Sequence, residues 1–171
     1  MAVASEKISL VLGDFLTECP ARVEAGSIDV VVTSPPYNLG IEYQSYNDSL
    51  PREAYLDWTD RWAGEVRRVL APAGSLFLNV GTRPSEPWGA WEIAMVFRRH
   101  LKLQNVIHWV KSISIAKRDI GAYPGITQDV TVGHYKPINS GRYLNDAQEY
   151  IFHFTRRGDV PCMPGPVSPD R

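Results

Sequence analysis

Cysteine is scarce: the 171 residues contain two, Cys19 and Cys162, far apart and without ligand-type spacing. That excludes a disulfide scaffold and a cysteine zinc site, and it fits a reducing compartment. Long apolar runs are lacking as well. None approaches the roughly 18 residues of a membrane span, and residues 1–7 lack the basic-then-apolar order of a signal peptide, so a cytoplasmic chain with no membrane partner is expected. The four histidines, His100, His108, His134 and His153, show no i, i+4 spacing and no cluster, which argues against a metal. His153 reads as a core or edge residue. None of the 13 glycines forms a Gly-x-Gly, the turn that lets backbone approach a nucleotide-like cofactor closely. Internal repeats are absent.

What is present suits one α/β-sized domain, with 44% apolar residues in a chain long enough to bury an ordinary core. The net charge of −1 conceals a split. Residues 1–97 carry 7 Lys/Arg against 13 Asp/Glu, whereas residues 98–157 carry 10 against 4, so one half could face phosphates.

Residues 7–12 and 28–32 are short β-prone runs, read as buried parallel strands, and residues 15–25 between them suit a helical crossover ending at Gly26. Residues 40–50 are polar and irregular, the pattern of a mobile loop. Pro51 opens a helix in which Tyr55, Trp58, Trp62, Val66, Val69 and Leu70 recur at three- and four-residue steps, with both tryptophans expected in the core. Pro72-Ala73-Gly74 punctuates. Strands are expected at 75–80, 103–110 and 150–154, with a helix over 88–99, so a doubly wound sheet is favoured. The expected domain is residues 1–158, followed by a Pro-rich tail or linker over 159–171.

The chemistry concentrates after the strand at 28–32, in Thr33-Ser34-Pro35-Pro36-Tyr37-Asn38. Ligands of open α/β sheets gather beyond the carboxyl ends of strands. Two prolines fix two φ angles and remove two N–H donors, so nearby carbonyls can act as acceptors. Ser34 Oγ and the Pro35 carbonyl could accept both hydrogens of an exocyclic base amine, favouring the pyramidal form whose lone pair is free. Tyr37 could stack on a base lifted from a duplex. A Pro-Pro turn beside a buried tyrosine would give the same letters.

Ser-Pro-Pro-Tyr after an apolar strand resembles the (Asp/Asn/Ser)-Pro-Pro-(Tyr/Phe/Trp) motif of DNA N4-cytosine and N6-adenine methyltransferases. Their β-type order is matched by Gly13-Asp14, residues 33–38, the helix to Leu70, and Pro72-Ala73-Gly74. His108-Trp109-Val110-Lys111, Gly133-His134-Tyr135-Lys136-Pro137-Ile138 and Glu149-Tyr150-Ile151 resemble later segments of the catalytic half. The resemblance covers nearly the whole chain to about Gly158. It implies a Rossmann-like S-adenosylmethionine-dependent methyltransferase sheet with helices on both faces. Catalysis would fall to Ser34, Pro35, Pro36 and Tyr37, and the cofactor side to Asp14 and Thr33, with no metal. It further implies double-stranded DNA as partner, and a restriction-modification type of site-specific methylation. Serine at the motif's first position leans toward cytosine N4 over adenine N6. Lys111, Lys117, Arg118, Lys136 and Arg142 are the candidate phosphate contacts. The family's Phe-x-Gly-x-Gly cofactor loop has no counterpart, so the sheet is expected to be incomplete and the isolated chain inactive.

Two other readings compete. Deamination lacks Pro-Cys-x-x-Cys and His-x-Glu. A non-catalytic half-domain that binds DNA, a complementary chain or another copy through an open sheet edge would need no chemistry of its own.

Overall fold

The computed structural model describes residues 8–43, 46–83, 86–111, 113–122, 124–132, 141–142 and 148–157. Its elements run α1 (Phe15–Arg22), β1 (Ile28–Thr33), α2 (Arg52–Val69), β2 (Leu70–Val80), α3 (Gly89–Phe97), β3 (Lys102–Val110), β4 (Ile113–Ile115), α4 (Lys117–Ile120), β5 (Val130–Val132) and β6 (Gln148–Thr155). The four-stranded sheet has the order β1-β2-β6-β3, and β4 and β5 pair separately. The expected tail, residues 159–171, lies outside the described residues.

Local chemistry explains the helix starts. Asp14 accepts the Leu16 N–H at 2.8 Å, satisfying a donor that the first turn of α1 cannot pair internally. Pro51 precedes α2, whose Tyr55, Thr59, Trp62, Ala63, Val66 and Val69 are buried at helical spacing. Of these, Tyr55, Trp62, Ala63 and Val66 pack with Leu76, Leu78 and Val80 of β2, Phe152 and Phe154 of β6, and Ile93 and Phe97 of α3. Leu16 of α1 joins the same cluster. Among the described residues, α1, α2 and α3 therefore share one face of the sheet, and the expected two-sided layering is present on one side only.

Three further expectations change. Residues 8–12 form no strand, and Leu10 and Leu12 are 93% and 101% exposed, because no described strand lies alongside for them to pair with. The sheet is mixed. β1 and β2 are parallel, but β6 enters between β2 and β3 antiparallel to both. An apolar alternation fixes which residues share a face but not the direction of the strand, so the sequence could not distinguish these arrangements. Pro72-Ala73-Gly74 lies within β2 as an irregularity: Ile28 pairs with Leu70, while Val30 pairs with Ser75. A side chain at Gly74 would come within 2.9 Å of the Ile28 carbonyl, so only glycine allows this close approach.

The other face of the sheet is open. Val30 and Val32 are 55% and 75% exposed, and Ile107 and Trp109 of β3 also stand largely in the open. His153 lies on this face in a central strand, stacked on Phe77 at 4.5 Å and bonded to Asn105 and Ser75, each at 3.1 Å.

Candidate active site

Strand β1 ends at Thr33, and residues 34–37 continue beyond its carboxyl end. The Ser34 hydroxyl and the Tyr37 hydroxyl lie 2.6 Å apart. Asn79, near the end of β2, donates through Nδ2 to Tyr37 Oη at 3.0 Å and reaches Ser34 Oγ at 3.5 Å. The same nitrogen donates to Glu149 Oε2 of β6 at 2.8 Å, and Lys111 pairs with the other carboxylate oxygen of Glu149. Burial pushes the Tyr37 phenol up; its bond with Ser34 opposes that, and the charge of Glu149 adds to the rise.

The two proline carbonyls differ. Tyr55, fully buried in α2, donates its hydroxyl to the Pro36 carbonyl at 2.8 Å, which fixes the loop to the helix layer. The Pro35 carbonyl accepts no hydrogen bond among the described residues. Of the two, the Pro36 carbonyl is therefore committed within the fold.

Residues 40–50 are expected as a mobile loop, yet Asp48 ties the start of this segment and the two residues before it together. This buried carboxylate accepts the N–H groups of Asn38, Leu39 and Ile41 at 2.9 to 3.0 Å. Asn38, at φ 59°, takes up the left-handed backbone that asparagine tolerates and clasps Leu50 through its N–H and carbonyl. Three backbone donors converging on one carboxylate cannot be recognised from Asp48's surroundings in the sequence.

Two cavities flank residues 34–37. One, of about 350 Å³, is lined by Gly13, Asp14, Phe15, Leu16, Thr33, Ser34, Pro35, Pro36, Trp58 and Trp62, so the catalytic and cofactor-side candidates other than Tyr37 come together there. Asp14 also serves as the cap of α1, and both tryptophans pack toward the core while bordering this space. The other, of about 270 Å³, is bounded by Tyr37, Asn38, Arg52, Gly81, Arg83 and Glu86, among others. A Cβ on Gly81 would lie 3.0 Å from Tyr37 Cε2, so glycine sets how closely the ring abuts β2.

The basic candidates disperse. Lys111 is engaged by Glu149 and lies over the Trp109 ring. Lys117 Nζ donates to the Gly121 carbonyl at 2.9 Å, whereas Arg118 and Arg142 are exposed. Lys136 lies outside the described residues. Sequence reasoning gave Asn79 and Tyr55 no role. The signal for Asn79 was a lone amide in the apolar alternation of residues 75–80, which strand periodicity turns away from the core.

The chain is similar to known proteins in both sequence and fold. The chain is 44% identical over 73 residues to a type II methyltransferase, M.MjaVI, of Methanocaldococcus jannaschii, a match covering 43% of this chain and 36% of the relative. With M.SfiI of Streptomyces fimbriatus it shares 29% identity over 168 residues, covering 88% of this chain and 38% of that one. A Thermus thermophilus protein named as a DNA modification methylase superposes with a TM-score of 0.56 at 27% identity, over 86% of this chain and 52% of its own. The cytosine-N4-specific PvuII DNA methyltransferase shares the fold, with a TM-score of 0.56 at 17% identity over 86% and 48%. The chain thus spans about half the length of these structures and little over a third of these curated relatives. The DNA methylase family model for N6 and N4 enzymes matches residues 28–161, from β1 through β6, and the chain belongs to that family.

Proposed function

We propose that this chain supplies the amine-activating half of a site-specific DNA methyltransferase of the restriction-modification type. The methyl donor would be S-adenosylmethionine, and the acceptor the exocyclic amine of a flipped cytosine or adenine in double-stranded DNA. The observation carrying this reading is the 2.6 Å approach of Ser34 Oγ to Tyr37 Oη beside an uncommitted Pro35 carbonyl. A base stacked on the Tyr37 ring with its amine toward the hydroxyl end meets Ser34 Oγ. The base's second amino hydrogen then turns to the Pro35 carbonyl. Both contacts strengthen as the nitrogen pyramidalises and gains positive charge, so they stabilise the transition state more than the ground state. In transfer from a sulfonium donor the amine nitrogen would gain the methyl carbon as the carbon–sulfur bond broke, and Ser34 Oγ and the Pro35 carbonyl would hold the amine while its surplus proton passed to water. No enzyme nucleophile is needed.

S-adenosylmethionine would bring the methyl group on a sulfonium centre. The residues fit it in part. The 350 Å³ cavity offers Asp14 as a hydrogen-bond acceptor, two indoles, Gly13 and the Thr33 end of β1, but its lining includes no Gly-x-Gly turn and no cationic side chain for an amino-acid carboxylate. The remaining contacts must come from outside this set, and the exposed valines of β1 mark where further structure would rest. That same open surface favours the second reading, a half-domain that binds a complementary chain or another copy without catalysing.

Calorimetry with S-adenosylmethionine and a labelled-methyl assay on mixed-sequence duplex DNA separate these cases. The 171-residue chain alone is expected to bind weakly and not to turn over, since loose positioning forfeits much of the roughly 7–11 kcal/mol that alignment supplies. Micromolar affinity with multiple turnovers would overturn the partial-cradle argument. In an active assembly, nucleoside mass analysis tests the lean toward N4-methylcytosine.

A further inference from the structure

The site sits at the end of a polar row that crosses the whole sheet. Lys111 follows β3, Glu149 belongs to β6, Asn79 to β2, and residues 34–37 follow β1, so each strand in the order β1-β2-β6-β3 contributes one step. Glu149 is largely buried, with 17% of its side chain exposed, and its charge is matched by Lys111.

Asn79 is the joint of this row. Its Nδ2 carries two hydrogens and can only donate; one goes to Glu149, the other to Tyr37 Oη and the edge of Ser34 Oγ. Its Oδ1 is buried with no partner among the described residues. Leaving a buried carbonyl unpaired is costly, so something must hold the amide in this orientation. Reversing it would press Oδ1 against the Glu149 carboxylate, and that repulsion supplies the reason. Asn79 occupies an acceptor position of Tyr37 Oη, which leaves the phenol hydrogen available to Ser34 Oγ 2.6 Å away, and in that arrangement Ser34 serves the pair as an acceptor. A Cβ on Gly81 would touch both Tyr37 and Glu149, so the two ends of the joint are closely packed.

We propose that Glu149, clamped by Lys111, is a positioning residue that sets Ser34 and Tyr37 through the Asn79 amide. The proposal rests on the reading of residues 34–37 as catalytic, and its test does not involve turnover. In the isotope-labelled 171-residue chain, nuclear magnetic resonance follows hydrogen exchange of the Asn79 side-chain amide and the Tyr37 Cζ signal. Glu149→Ala is expected to speed that exchange about tenfold, as loss of a hydrogen bond to a charged group should, and to shift Tyr37. Glu149→Gln, whose amide oxygen still accepts, should keep both near their original values. In an Asn79→Ala background, Glu149→Ala should move Tyr37 no further.

Unchanged Asn79 exchange in Glu149→Ala overturns the proposal. So does a Tyr37 shift of equal size with and without Asn79, because the carboxylate would then act through space. Should Glu149→Ala unfold the chain, Lys111→Met keeps the carboxylate but releases its clamp, and partial acceleration is expected; no change there also overturns it. Failure of methyl transfer by a cofactor-competent assembly containing the chain, with these signatures intact, would count against the catalytic reading alone.

Discussion

The two faces of one sheet are built to different standards. Toward the helices, Leu76, Leu78, Phe152 and Phe154 are at most 1% exposed and interlock with α2 and α3. On the opposite face, valines and aromatic rings of β1 and β3 stand open beside polar groups that bond laterally along the sheet. The covered face supplies the cooperative stability, since buried apolar area and close packing lie there. The open face carries the row that leads to Ser34, while Leu16, Trp58 and Trp62 of the helix layer share a cavity with Ser34, Pro35 and Pro36, so the candidate site lies where the two faces meet beyond the end of β1.

Substituting one residue on each face tests this contrast most directly. Phe152→Ala should cost about 3–5 kcal/mol in urea unfolding through a cavity in the helix-covered core. Val32→Thr should change stability by less than about 0.5 kcal/mol, as exposed sites do. Equal losses would mean that the open face is covered in solution.

A smaller effect is expected where the site meets the covered side. Asp48→Ala strips the acceptor from three backbone N–H groups, so about 2–4 kcal/mol of local stability should be lost. Limited proteolysis within residues 38–50 should quicken before the core unfolds. If cleavage is unchanged, the carboxylate is not what holds this segment.

Ser34→Ala, made in a cofactor-competent assembly containing the chain, should lower kcat roughly 10- to 100-fold with little change in cofactor affinity, because a transition-state acceptor is removed. Tyr37→Ala should weaken the complex with DNA by roughly 1–3 kcal/mol of stacking. Normal turnover by Ser34→Ala would reduce Ser34 to a turn residue.

The smallest signal comes from pH. Burial raises the phenols of Tyr37 and Tyr55 in the folded chain, so folding retains protons that the unfolded chain releases near pH 10. Their contribution is fully present below about pH 10 and is lost as pH rises through the folded values. Tyr55→Phe should flatten that alkaline decline; an unaltered slope would show that other groups cause it.

Much of the site could be read from the letters because its order is local. Two prolines constrain residues 34–37 wherever they occur, and an apolar run before them makes them the end of a strand. Asn79, Glu149 and Tyr55 were harder to read, since each acquires its role from partners 19 to 70 positions away. Residues 8–12 show the converse. Their composition favours a strand, yet a strand exists only where a neighbour accepts its hydrogen bonds.

The sequence by itself therefore determined the three longer helices, the strand cores at 28–32, 75–80, 103–110 and 150–154, and the placing of residues 34–37 at a strand end, because propensity, periodicity and proline geometry act over a few residues. Only the tertiary structure decided that β6 runs antiparallel between β2 and β3, that α1, α2 and α3 gather on one face, and that Lys111, Glu149 and Asn79 line up on Tyr37 and Ser34. Those outcomes depend on which backbone edges and side chains meet across the sheet, and no local pattern encodes them.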